Sequence, residues 1–406
     1  NKIKPDTNND WINNRNEIFE KYDSINPNIK RDLQSNSYFT NYAIGIVSSR
    51  DSWVYNYSNK NLKDNITSMI DVYNEERIKK NKTSLNMDNK KISWSAGLKT
   101  KINQNIIIKY NSSKIIKTIY RPFCKQNLYY DSDLIERPGV FEKLFLKENK
   151  LICVSGVGAN KEFSCLIVDN IPSLDTIEKN QCFPLYWYDE DNESLFSKTK
   201  EHYIKYDGIS DYIFNKFSEK FQKHIEKEDI FYYVYGILHS KIYREKYKAD
   251  LKKSLPRIPI VDTYEKFLNF VNAGKKLADL HLNYETIAPY KKCEIIKNKE
   301  NFKVTKMKFG KNKDKSIIEF NDNIIIKNIP SKAYEYVVNG KSAIEWIMER
   351  YAITTDKKSG IINDPNDWCR EVNDEKYIFN LLLRVINVSV KTIDIVNSLP
   401  KLNFDE

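Results

Sequence analysis

The chain is poor in the residues that most enzyme chemistry relies on. Its 406 residues include only 4 histidines, 11 glycines and 6 cysteines. The histidines (202, 224, 239 and 281) are dispersed, and His239, within 235–240, reads as a packing or capping residue. The cysteines (124, 153, 165, 182, 293 and 369) form no C-x-x-C pair, and none has a histidine at metal-ligand spacing. Free buried thiols in the reducing cytoplasm are the expectation. Apolar runs such as 377–383 fall far short of the roughly 20 residues that span a bilayer, and mean hydropathy is -0.62, so no membrane segment is expected. There is no G-x-x-x-x-G-K-[ST] loop, no G-x-S-x-G elbow and no H-E-x-x-H. The glycine cluster at 155–159 lacks the third glycine of a dinucleotide cradle and reads as a tight turn between strands. No Pro-Pro occurs, so the Asn/Asp-Pro-Pro-aromatic loop of amino-group methyltransferases is missing. Glu148 and Lys150, downstream of Asp131 and Asp133, parallel a nuclease metal site, but they are expected to end a helix before a strand begins at Leu151. No catalytic centre is legible. The opening Asn-Lys-Ile-Lys-Pro carries neither a methionine nor a charged-then-apolar leader, as expected of a piece of a longer polypeptide.

What is present is a foldable, basic chain. Hydrophobic residues make up 41% and aromatics 13%, enough for a sizeable core in two or three domains or one large one. Lys and Arg number 66 against 55 Asp and Glu, a net charge of +11, with a pI of about 9.0. That balance favours polyanion partners, although a bias towards Lys, Asn and Ile inflates it.

Hydrophobic periodicity predicts a mixed α/β (α+β) fold, with short central strands and a β-meander packed with several helices. Helices are expected over 10–22 (capped by Asp10, with Trp11, Ile12, Ile18 and Phe19 inward), 59–80, 229–240, 241–253, 263–282, 343–351 and 374–397. Strands are expected at 43–47, 115–120, 151–155 and 165–168, and the meander at 293–328. The organisation predicted is a mostly helical junction over 1–85, followed by a recognition unit over 86–400 with mixed strands to about 209, helices over 210–285, the meander, and C-terminal helices over 341–398.

Several runs carry a family resemblance. Tyr120 to Asp131 (YRPFCKQNLYYD) resembles the YRPF-x-K-x-x-LYYD stretch of the C-terminal specificity region of type ISP restriction-modification enzymes. Ser48 to Tyr55 (SSRDSWVY) is similar to the family's TSRDAWVYN, and 355–368 (TDKKSGIINDPNDW) to its TDK-x-SGIVNDPNDW. The pairs 151–158 and 163–169, the run 229–240, then 243–247, 255–259 and 343–347 follow in the family's order. Cys124 departs from the family's usual Asp or Thr. The resemblance spans roughly the whole chain. It implies a target recognition domain lying after the nuclease, helicase-like translocase and adenine methyltransferase of one long chain, serving phage defence in the cytoplasm. Double-stranded DNA and the methyltransferase domain of the same parent are the implied partners. No cofactor is expected in this piece, while S-adenosylmethionine, ATP and Mg2+ are implied for the parent. Two other readings stay open: a piece retaining adenine methyltransferase activity, and a basic protein-interaction module.

Recognition needs cations and amides on phosphates and a few side chains on base edges. Runs shared among enzymes with different target sequences suit scaffold or phosphate contact, and irregular loops suit base reading. The DNA-binding candidates are Arg50 and Arg121, each open to phosphate contact or internal pairing, and Lys125 beside them. Trp94, Lys99 and Lys101 interleave an aromatic with basic residues, with Trp94 better suited to anchoring a core. Asn160 and Lys161 end the Gly-rich turn, where amides approach a phosphate and Asn160 suits adenine. Lys311 and Lys313 mark a basic hairpin tip, and Lys241, Arg244, Lys248 and Lys252 line one face of the basic helix.

Overall fold

The computed structural model describes residues 15–79, 85–190 and 203–404. Its centre is a four-stranded antiparallel sheet in the order Ala43–Ile44, Gln181–Pro184, Leu151–Val154, Cys165–Val168. Its hairpin strands Leu151–Val154 and Cys165–Val168 are apolar at every position because both faces are covered. Leu151, Cys153, Leu166 and Val168 join one core, while Ile152, Val154, Cys165 and Ile167 join the other.

The first core contains a second sheet, in the order Tyr55–Asn56, Cys124–Tyr129, Ile115–Arg121, Ile171–Pro172, whose last pair is parallel. The helix Asn59–Ile78 covers it. Ser58 Oγ caps its start by accepting from Asn61 N at 3.1 Å, and Leu62, Ile66, Met69, Ile70 and Tyr73 form the predicted buried face. Residues on both sides of position 85 share this core. The second core is helical. Lys227–His239 is buried from Ile230 onward and crosses Tyr264–Leu282 at two glycines. A Cβ on Gly274 would lie 1.9 Å from the Tyr232 carbonyl oxygen, and one on Gly236 would lie 2.5 Å from that of Phe270. Only glycine lets the two backbones meet so closely.

The mixed α/β class and most helices agree with the sequence patterns, with five local differences. The first helix is Glu17–Lys21, capped by Asn16; Asp10, Trp11 and Ile12 lie outside the described residues. Strand pairing at 43–47 is reduced to Ala43–Ile44 plus isolated bridges at Ile46 and Val47. The helix before Leu151 is Phe141–Leu144, so Glu148 and Lys150 lie in a loop. The 293–328 sheet runs Glu294–Lys297, Ile324–Lys327, Ile318–Asn321, Lys308–Phe309. Its last three strands form the meander, while the first returns beside the last.

The basic helix is two, Lys241–Lys246 and Lys248–Lys253, broken at Tyr247 (φ -106°, ψ 26°). Tyr247 turns fully inward, with ring centroids 5.1 Å from Phe19 and 5.2 Å from Phe404. No helix among the described residues is long and apolar enough to cross a membrane.

Candidate nucleic-acid interface

Arg50 is 4% exposed. Its Nε donates to Ser93 O (3.2 Å), Nη2 to Ser95 Oγ (2.5 Å) and Nη1 to Leu134 O. Burial pulls its guanidinium down to about 10, with Glu136 opposing. Of the two roles open for Arg50, this placement supports internal pairing, because the donors a phosphate needs are already used on two carbonyls and a hydroxyl. Arg121 is half-buried, with Nη1 donating to Tyr120 O (2.7 Å) and Ser173 Oγ (3.2 Å). Lys101 pairs with Asp133 at 2.6 Å and Lys125 with Glu285 at 2.8 Å. Trp94 is half-buried and donates from Nε1 to Asn86 O at 2.7 Å. Lys99, on the helix Ala96–Asn103, is the cation of this group that reaches solvent with no ion-pair partner among the described residues.

The shared runs around Asp51, Tyr120 and Asp356 meet in a cleft of about 320 Å³. Tyr120 Oη donates to Asp51 Oδ2 (3.0 Å), Asn363 Nδ2 to Gln126 Oε1 (3.2 Å), and Tyr57 Oη to Arg350 O (3.0 Å). These runs and their neighbours thus bind one another across as many as 293 positions of chain. Arg350 and Lys341 both pair with Glu349, and Arg121 Nη2 lies 3.8 Å from Asp51 Oδ2, so the carboxylates of the cleft are met by cations and it carries no excess that would attract phosphate.

The Gly-rich turn joins Leu151–Val154 to Cys165–Val168, and its anion cradle is already full. Glu178 accepts from Asn160 N and Lys161 N, both at 3.0 Å, and from Asn160 Nδ2 at 2.8 Å. Burial works to raise the Glu178 carboxyl, but these donors outweigh it and hold it below the usual carboxylate range. The backbone amides expected to meet a phosphate therefore meet a carboxylate, and the Asn160 amide is also engaged. The side chain of Lys161 remains exposed.

Lys161 and the basic helices line a second, larger cleft of about 740 Å³. Its walls are the turn, the pair Lys241–Lys246 and Lys248–Lys253, and the hairpin Val337–Val338/Lys341–Ser342. That hairpin turns through Asn339 (φ 52°) and Gly340 (φ 80°), an Asn-Gly signal that sequence reasoning passed over. Lys161, Lys241, Arg244, Lys248 and Lys252 face Glu162, Glu245 and Glu335.

A polar chain runs beneath this cleft, where His239 and Tyr336 line the floor. Tyr235 Oη accepts from Ile167 N (3.1 Å) and donates to His281 Nδ1 (2.6 Å), and His281 Nε2 donates to Thr392 Oγ1 (3.0 Å). Burial, then Arg244, lowers the His281 imidazole to about 3 and drives His239 well below its ordinary value. Both are neutral interior groups rather than acid-base candidates.

Lys311 and Lys313 lie on an exposed tip in which Asn312 and Lys313 take left-handed conformations. Neither has an ion-pair partner among the described residues, whereas Lys315 beside them pairs with Glu345 at 2.9 Å. Among the described residues, no three His, Cys, Asp or Glu side chains converge to hold a metal ion.

The type ISP C-terminal specificity domain model matches residues 37–381, beginning inside the segment expected as a junction. Among solved structures, the chain is 37% identical to a nuclease-deletion mutant of the type ISP restriction-modification enzyme LlaGI in complex with a DNA substrate mimic, with a TM-score of 0.85. It is 36% identical to the ATP-dependent type ISP enzyme LlaBIII bound to DNA (TM-score 0.89) and 28% identical to DrdV in a DNA complex (TM-score 0.84). These matches cover 99–100% of this chain but 36%, 26% and 40% of the respective partners, so the chain spans well under half of each. No curated protein matches it.

Proposed function

Because the chain belongs to the type ISP C-terminal specificity domain family, we propose that it is the DNA target-recognition part of a longer restriction-modification enzyme. The observation that carries this reading is the match along 37–381, together with likeness over the whole chain to two type ISP enzymes solved with DNA or a DNA mimic. In this role the chain lies on duplex DNA beside the parent's methyltransferase domain, in the cytoplasm. It directs adenine methylation and translocation-dependent cleavage that other domains perform. S-adenosylmethionine, ATP and Mg2+ belong to those domains, and no chemical step is assigned to this chain. Phosphate contact falls to exposed cations such as Lys99, Lys161, Lys311 and Lys313, and base reading to irregular loops.

The test is binding of the chain to random-sequence duplex DNA across a salt series, followed by selection from a randomised duplex pool. Affinity should fall with salt at a log-log slope of about -0.9 per phosphate neutralised, and the selected pool should converge on one sequence. A salt-independent affinity or an unconverged pool overturns the reading. Methyl transfer from S-adenosylmethionine by the chain alone would overturn its non-catalytic part.

A further inference from the structure

The larger cleft has two features that a merely solvated basic face lacks. First, elements distant in sequence bring five cations (Lys161, Lys241, Arg244, Lys248, Lys252) against three carboxylates, an excess of two positive charges in a concave site. In the shared-motif cleft, by contrast, Arg121, Lys341 and Arg350 offset the carboxylates. Second, carboxylates occupy the lysines along its rim. Lys248 Nζ lies 2.6 Å from Glu162 Oε1, with side chains 71% and 79% exposed, and Lys241 Nζ, which donates to Asn397 Oδ1 at 2.9 Å, lies 3.9 Å from Glu335 Oε2.

We propose that this cleft seats the phosphodiester backbone of one DNA strand, and that Glu162 and Glu335 stand in for phosphates until the strand displaces them. The proposal rests on the DNA-binding reading above. Exposed ion pairs contribute little, so exchanging Glu162 for a phosphate on Lys248 costs little. Arg244 is held before any strand arrives: Nε donates to Leu238 O at 2.5 Å and Nη2 to Cys165 Sγ at 3.2 Å, which leaves Nη1, a donor that Arg50 has already spent, for the strand. Its position therefore need not be ordered on binding. Lys161 and Lys252 have no ion-pair partner among the described residues and complete the row. Glu178 has taken the amides of the turn, so side-chain cations alone hold the strand. Such contact follows the backbone and sets register without reading sequence.

The experiment uses the full chain, a short fluorescein-labelled random-sequence duplex, and inorganic pyrophosphate as competitor. Glu162→Gln, which frees Lys248, should tighten duplex binding about two- to five-fold, the range an exposed ion pair commands. Lys248→Gln with Lys252→Gln should flatten the log-log salt slope by about 1.8. Lys299→Gln, an exposed charge outside the cleft, should leave the slope unchanged. Circular dichroism verifies that each variant is folded. If the parent chain binds duplex but the cleft variants behave like Lys299→Gln, the cleft assignment is overturned and the DNA-binding reading stands. If the parent chain binds no duplex, both fall. If the cleft variants alter competition by pyrophosphate but not duplex binding, the cleft takes small polyphosphates and the strand assignment is overturned.

Discussion

Arg50 shows what one residue can mean in two settings. In the sequence it is a cation next to Asp51, open to a phosphate; in the fold it fastens residues 93–95 and the Leu134 carbonyl to its own turn. Replacing Arg50 with Met strands those buried acceptors and should cost about 2–4 kcal/mol, measured by urea unfolding. DNA affinity measured on the folded population should stay within about two-fold. The paired histidines give a pH signature. His239 and His281 have folded pKa values below the unfolded value of about 6.5. As pH falls past that value the unfolded chain takes up protons that the folded chain refuses. Stability is therefore intact above about pH 6.5 and lost progressively below it. His281→Gln should make the decline in thermal midpoint between about pH 6.5 and 5 shallower than in the parent chain. Residue types and motif identities were legible from sequence. Whether a charge points in or out was not, because that depends on partners such as Ser93, Leu134 and Glu178 that lie elsewhere in the chain.

Elements follow their local patterns until a distant contact intervenes. The face of Asn59–Ile78 was readable because its period repeats over five turns. The break at Tyr247 was not, since Lys241 to Lys253 keeps helical spacing throughout and only the pull of Phe19 and Phe404 on one ring interrupts it. Strand order in the 294–327 sheet was equally hidden, because alternation marks strands without naming their neighbours. The helix crossing makes a sharp prediction. In an isolated helix, Gly274→Ala would gain up to about 1 kcal/mol. Here the added Cβ meets the Tyr232 carbonyl oxygen, so overpacking of about 3 kcal/mol or more should dominate. The variant should unfold at lower denaturant than the parent chain, and Gly236→Ala should do the same less severely.

At the scale of the whole molecule, the two cores share a wall, the double-faced sheet of Leu151–Val154 and Cys165–Val168. The segment before residue 85 is built into the same core as the segment after it: Trp53, Leu62 and Tyr73 pack with Leu98, Phe123 and Leu128. A fragment starting at residue 86 loses that apolar surface. It should be aggregation-prone, with poor dispersion in amide NMR spectra, while co-expression with 1–85 restores solubility. The basic charge, diffuse along the sequence, is gathered by the fold into one cleft of positive excess, while the shared-motif cleft is internally paired.

Tyr247 carries one more consequence. Because Phe19 and Phe404 rest on the same ring, the first and last described turns of chain lie side by side. A polypeptide attached at either place would emerge from one patch, next to the cationic cleft. Gene rearrangements that move a neighbouring domain from one flank to the other would then leave its reach to the DNA nearly unchanged. For the same reason, a permuted gene that splices residue 404 to residue 15 through a short linker and opens the chain elsewhere should still encode this fold.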